Sequence, residues 1–220
     1  MARDKAHTRY KLGDGTAVPG ATTVLGILNK PALVKWSNNL GLAGIDVSKY
    51  VDDKAAIGTL GHALITDHYA GRETDTSDYS ANQIDAATNS ALSFWEWVRG
   101  HPIKRAILVE KPLVSKAHGY GGTPDLVVEM ADGSENAFPT KELIDLKTGK
   151  GIWPEHVWQG ATYRMLLREH GYVVDRVRIL NIPRSEDESF VEKVLSEKEL
   201  ETGWQIFLHC LAIYNLQKGR

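Results

Sequence analysis

Cysteine is almost missing from this chain: one in 220 residues. A single thiol excludes an internal disulfide and any cysteine-ligated cluster built by this chain alone. Cys210 lies in an apolar helical run, where a small core residue is expected. Charge of either sign is not in excess. There are 26 Lys and Arg against 28 Asp and Glu, a net charge of -2 and a pI near 6.4. That is not the basic balance of a protein that coats nucleic acid nonspecifically. It still permits a local basic strip or a bound cation to attract phosphate. No apolar run has the length of a membrane span, and the opening Met-Ala-Arg-Asp-Lys has no apolar h-region. The expectation is a soluble cytoplasmic chain with no membrane partner. Internal repeats and low-complexity tails are also missing.

What is present suits one domain with a full core, at 42% hydrophobic and 25% charged residues. The pattern of elements reads as α/β, with a central mixed sheet flanked by helices. Residues 1–50 read as a hairpin and helices capping the core, 54–183 as the core itself, and 196–220 as a C-terminal helix. Tyr10 to Val18 form a hairpin turned by Gly13-Asp14-Gly15. Thr22 or Thr23 caps a short helix. After Asn29-Lys30-Pro31 a second helix carries Leu33, Val34, Trp36 and Leu40, with Trp36 read as packing. Lys54 to Tyr69 and Asn82 to Arg99 read as helices, the second with Ile84, Ala87, Ala91, Leu92, Trp95 and Val98 on its apolar side. Ile103 to Val114 reads as one strand, and Gly119 to Gly122 as part of a flexible turn. Pro154 starts a helix that runs to about His170. Val173 to Ile182 is the last strand expected. Ser196 opens a capping box and the final helix, whose core side includes Leu200, Phe207, Leu211 and Ile213.

The stretch with the most chemistry is Asp125 to Lys147. Two apolar runs flank a turn-rich segment opening Ala-Asp-Gly-Ser, which reads as a hairpin. Alternate residues of a strand share a face, so Asp145 and Lys147 point one way and Ile144 and Leu146 the other. Asp125 starts the neighbouring strand. Two carboxylates and an ammonium on one face would suit a divalent cation, which takes oxygen ligands, and hydrolysis of a phosphodiester. A solvated strand edge with a weak ion pair is the plain alternative.

Other residues gain meaning from that company. Gly58 and His62 lie one turn apart on a helix, so His62 is either a buried, hydrogen-bonded side chain or a ligand. Glu110 sits in an apolar strand and needs a partner if buried; it supports the site or pairs with a nearby cation. Gln159 and Tyr163 share a helix face, open to a phosphate or base edge or simply packed and solvated. Thr148 falls in the polar turn after Lys147. Arg164 and Arg168 lie on a neighbouring stripe that can meet backbone phosphate.

Taken in order, Gly58-x-x-x-His62, Glu110, Gly122-x-x-Asp125, Asp145-x-Lys147 and Gln159-x-x-x-Tyr163 resemble the PD-(D/E)xK nuclease superfamily. The nearest likeness is to its RecB-type and phage exonuclease branch, including lambda-exonuclease-like enzymes. Val18-Pro19-Gly20, Thr22-Thr23-Val24-Leu25 and Asn29-Lys30-Pro31 are similar to phage and mitochondrial genome-maintenance exonucleases of that branch. The resemblance implies a restriction-endonuclease-like core with an N-terminal helical extension. It implies Asp125, Asp145 and the Leu146 backbone carbonyl as metal ligands, His62 as an extra ligand, Lys147 as the catalytic lysine and Glu110 in support. Gln159 and Tyr163 would meet DNA, with Thr148 and Arg164 as further substrate contacts. The cofactor would be one or two Mg²⁺ or Mn²⁺ ions. Several relatives carry four cysteines for an iron–sulfur cluster, which this sequence cannot supply. The implied activity is DNA exonuclease, with a structure-specific endonuclease or a non-catalytic DNA-binding protein as alternatives. DNA, single- or double-stranded, would be the substrate, ends being preferred. A recombination or single-strand-binding partner fits such a role, and monomers and ring oligomers both occur among relatives.

Overall fold

A computed structural model describes residues 9–28, 30–131 and 139–219. At the start, β1 (Tyr10–Lys11) pairs with β2 (Ala17–Val18) as the expected hairpin. Helix α1 (Ala21–Leu25) follows, then α2 (Pro31–Leu42), α3 (Val47–Tyr69) and α4 (Ala81–Gly100). Strands β3 (Ile103–Val109), β4 (Leu113–Ser115), β5 (Tyr120–Gly122), β6 (Leu126–Met130) and β7 (Lys141–Lys147) come next. The chain ends with α5 (Pro154–Glu169), β8 (Arg176–Asn181), β9 (Val191–Val194) and α6 (Glu197–Gln217).

The central sheet has five strands in the order β3-β6-β7-β8-β9. All neighbours are antiparallel except β7 and β8, which run parallel. A parallel pair needs a crossover, and α5 supplies it. Alternation along the strands divides the apolar side chains between two helical layers. Leu143, Val177 and Ile179 pack with residues of α1, α5 and α6, including Leu166, Leu167, Phe207 and Cys210. Ile144, Leu146, Leu126, Val128 and Leu180 pack on the opposite face with Ile65 of α3 and Phe94 of α4. This five-stranded mixed sheet between helices is the restriction-endonuclease-like architecture expected. Among the described residues no helix is long and apolar enough to cross a membrane.

Several local expectations are corrected. Ile103 to Val114 is not one strand. The chain turns at Glu110, whose φ is 41°, and Pro112 offers no N–H to a ladder. β4 therefore leaves the sheet and pairs with β5. Gly119 belongs to the turn, but Tyr120 to Gly122 are a buried strand rather than a flexible loop. Neither Thr22 nor Thr23 caps α1; Gly20 holds that position without a side-chain bond. Helix α3 starts seven residues before Lys54, at Val47, because the Asp46 carboxylate accepts from the Lys49 N–H at 3.1 Å. In α4 the buried face is set by Ala87, Phe94 and Trp97, while Leu92 is 58% exposed. Ile213 of α6 and Val173 before β8 are likewise exposed. β9 was not expected. The Asn29 part of the first break, and the Asp132–Ser134 part of the turn before β7, lie outside the described residues.

Candidate active site

Antiparallel pairing sets Leu126 opposite Ile144, which leaves Asp125 abreast of Asp145 at one end of the sheet. The Leu146 amide donates to Asp125 Oδ2 at 2.8 Å, fixing that carboxylate to β7. Its other oxygen, Oδ1, faces Nδ1 of His62 on α3 at 3.6 Å. Burial pushes the Asp125 carboxyl up, but His62, Lys147 and the Leu146 amide outweigh it and hold the group below the usual carboxylate range.

Asp145 is fully buried; among the described residues its Oδ1 has no hydrogen-bond partner and its Oδ2 meets only the Lys147 ammonium. The ammonium of Lys147 stands 2.5 Å from Oδ2 as an ion pair, and it donates to the Leu146 carbonyl at 3.2 Å. Burial raises the Asp145 carboxyl to about 6; Lys147 opposes that rise and the Asp125 charge adds to it. A buried carboxylate left this bare is costly. It marks a place that calls for positive charge beyond one lysine. As it stands, no three of the His, Cys, Asp and Glu groups converge as a ready ion cage among the described residues. The donors at hand, two carboxylates, a peptide carbonyl and an imidazole, fit a hard or borderline divalent cation such as Mg²⁺ or Mn²⁺.

Glu110 approaches from the end of β3. Its N–H donates to the Asp125 carbonyl at 2.9 Å, which helps hold the left-handed backbone at this residue. Its carboxyl is raised by burial and by the Asp125 charge, with Thr66 and His62 opposing the rise. Arg72, tied to Asp67 at 2.5 Å, comes within 4.0 Å of Glu110. Gln159 Nε2 donates to the Tyr163 hydroxyl at 3.0 Å. The Tyr163 ring is buried against Gly122, where a Cβ would come within 2.6 Å of it. Burial raises the Tyr163 phenol, and the Asp145 and Asp125 charges raise it further, so it sits by the carboxylates as a neutral hydroxyl.

The structure thus gathers His62, Glu110, Asp125, Asp145, Leu146, Lys147 and Tyr163, with Gln159 one bond behind. Thr148 lies against α3: a Cβ at Gly58 would meet its Oγ1 at 2.5 Å. Arg164 is not brought to this group. Its Nη1 donates to both Glu197 oxygens, at 2.9 and 2.8 Å, on the first turn of α6.

Two groups were not singled out by the sequence. His156 accepts from the Trp153 N–H at 3.2 Å as part of the α5 cap, and burial with the nearby Lys147 charge pushes its imidazole down to about 4. It is a neutral polar neighbour of Lys147; its place two residues after Pro154, at the third helical position, was the available signal. A cleft of about 830 Å³ opens beside the site, with His62, Lys147 and Thr148 in one wall. Trp36, expected to be packed away, lines this cleft at 38% exposure because α2 buries none of its residues.

No protein-family model and no curated protein matches the chain. Among solved structures, one similar chain is a protein of Eubacterium rectale described as a candidate exonuclease. The TM-score is 0.47 at 10% identity, over 74% of this chain and 68% of that one. Another is the protein SSO0001, with a TM-score of 0.33 at 14% identity, over 72% of this chain and 74% of that one.

Proposed function

We propose that the chain is a metal-dependent deoxyribonuclease of the RecB-type branch of the PD-(D/E)xK superfamily, acting as an exonuclease. The observation that carries this reading is Asp145: a buried carboxylate abreast of Asp125, with Lys147 as its one partner and Oδ1 left without a hydrogen bond. Asp125, Asp145, the Leu146 carbonyl and His62 would hold one or two Mg²⁺ or Mn²⁺ ions. A divalent ion held there would lower the pKa of a bound water and offset charge on the phosphoryl oxygens.

The chain's own groups have defined work in hydrolysis. Lys147, beside Asp145, is placed to orient a water and to offset negative charge as it grows on phosphorus oxygens. The water gives up a proton as its oxygen bonds to phosphorus, the bond to the leaving sugar oxygen breaks, and that oxygen takes up a proton in turn. The Tyr163 hydroxyl, neutral and oriented by Gln159, can donate to a phosphate oxygen. Glu110 steadies Asp125 through the backbone and adds acceptor capacity at the edge of the group.

The test is labelled linear and circular DNA, incubated with Mg²⁺, Mn²⁺ or EDTA. Metal-dependent loss of nucleotides from linear ends, with circles spared, is the expected result. Cleaved circles would point to an endonuclease on the same residues. No cleavage of either substrate with either ion would overturn the reading.

A further inference from the structure

Among the described residues, the cleft beside the carboxylates has no Asp or Glu in its wall. It contains three aromatic side chains, Trp36, Tyr50 and Trp153, and four cations, Lys54, Lys147, Lys150 and Arg184. Lys147 is held by Asp145, and Arg184 by Glu188. Lys54 and Lys150 have no ion pair among the described residues. The Lys54 ammonium lies 5.6 Å over the Tyr50 ring. Asp187, on the polar turn after β8, is the anion whose carboxyl feels both lysines, and Ser185 already holds it. Trp153 is 53% exposed, and Trp36 meets Tyr50 edge-on at 5.9 Å.

Exposed indoles and unpaired lysines lining one cleft make poor sense as a core. They do make a platform for flat rings carried on a phosphate chain. In a duplex the base faces are stacked on each other and out of reach, so only unpaired bases can use such a platform. We infer that this cleft binds single-stranded DNA, its bases stacking on Trp153 and Trp36 and its phosphates meeting Lys54 and Lys150. Resting on the nuclease reading, the inference names the strand state of the substrate: the segment next to the scissile bond is unpaired. His62 and Lys147 belong to the same wall, so a strand lying in the cleft runs up to the carboxylates.

Binding can be read without turnover. Fluorescence anisotropy in EDTA compares labelled oligo(dT), an abasic oligomer of equal length and a blunt duplex. Oligo(dT) should bind at least about fivefold tighter than the abasic chain, as expected for one or more stacked bases, and tighter than the duplex. The double variant Trp36→Ala, Trp153→Ala should bind oligo(dT) no better than the abasic chain, while Trp36→Phe, Trp153→Phe should restore most of the preference. Both indoles are exposed, so thermal melts of the variants should match the parent. Equal binding of oligo(dT) and the abasic chain, tighter binding of the duplex, or an unchanged Ala double variant would overturn the inference. A separate incubation with Mn²⁺ keeps the two ideas apart. Lack of cleavage with the oligo(dT) preference intact sinks the hydrolytic reading and supports the cleft.

Discussion

Strand β7 buries two carboxylates three residues apart, and the fold treats them in opposite ways. Glu142 receives Arg178 Nε at 2.7 Å, Arg178 Nη2 at 3.1 Å and Arg176 Nη1 at 3.2 Å. Arg178 is itself bound by Glu192 and lies over the Trp97 ring. Asp145 receives one ammonium on Oδ2 and nothing on Oδ1. The desolvation cost is similar for both. At Glu142 it is offset inside the protein, which makes that end of the strand structural. At Asp145 it is left open, which is how a site looks when something else is meant to complete it.

Substitutions can break this contrast. The largest effect should come from Asp145→Asn or Lys147→Ala. Either should lower cleavage by at least about a thousandfold, roughly 4 kcal/mol of transition-state stabilisation, with circular dichroism unchanged. Cleavage at the parent rate would remove the site assignment. Glu142→Ala should do the reverse. It removes the main partner of the buried Arg178, which keeps only Glu192, so urea unfolding should show a loss of about 3 kcal/mol, while cleavage per folded molecule stays near the parent value. Equal effects of Glu142→Ala and Asp145→Asn on both readouts would erase the distinction.

Metal sharpens it further. Mn²⁺ at about a hundred times its dissociation constant should stabilise the parent by roughly 2.7 kcal/mol. The rise in Tm should vanish in Asp145→Asn and persist in Arg178→Lys. The smallest effect belongs to a third carboxylate, outside both of these groups. Glu199 bonds Lys193 and the Ser196 cap of α6, which hold its pKa down at about 2. Its folded pKa is depressed, so the stability it adds is present above about pH 4.5 and lost as pH falls toward 2. This half-exposed group should contribute about 1 kcal/mol after solvent screening. Glu199→Ala should lower stability by that amount above about pH 4.5, and the difference from the parent should close as pH falls toward 2.

Much of this geometry was legible in the chain. Period-two alternation put Asp145 and Lys147 on one face, and the register with Leu126 brought Asp125 abreast. Pro154 and Ser196 marked helix starts that the structure keeps. Other features needed the tertiary context. The bend at Glu110 depends on the Asp125 carbonyl that receives its amide, a partner far away in sequence. β9 is a short edge strand whose alternate residues are exposed, so its pattern resembles a loop. Trp36 reads as core by residue type alone, because nothing local reveals that α2 lies against open space. Arg164 shares a helix stripe with phosphate-binding potential, yet Glu197, 33 residues on, takes it.

One atom's absence has a consequence for all of this. Gly58 faces Thr148 so closely that a methyl group would collide with its hydroxyl. His62 stands one turn further along the same helix. The glycine therefore works as a calliper: it sets how near the imidazole rides to the strand end. Widen it by a single carbon and either the Thr148 hydroxyl must swing aside or the helix must ride outward, and the second course takes His62 away from Asp125 while every residue of the acidic group is still in place.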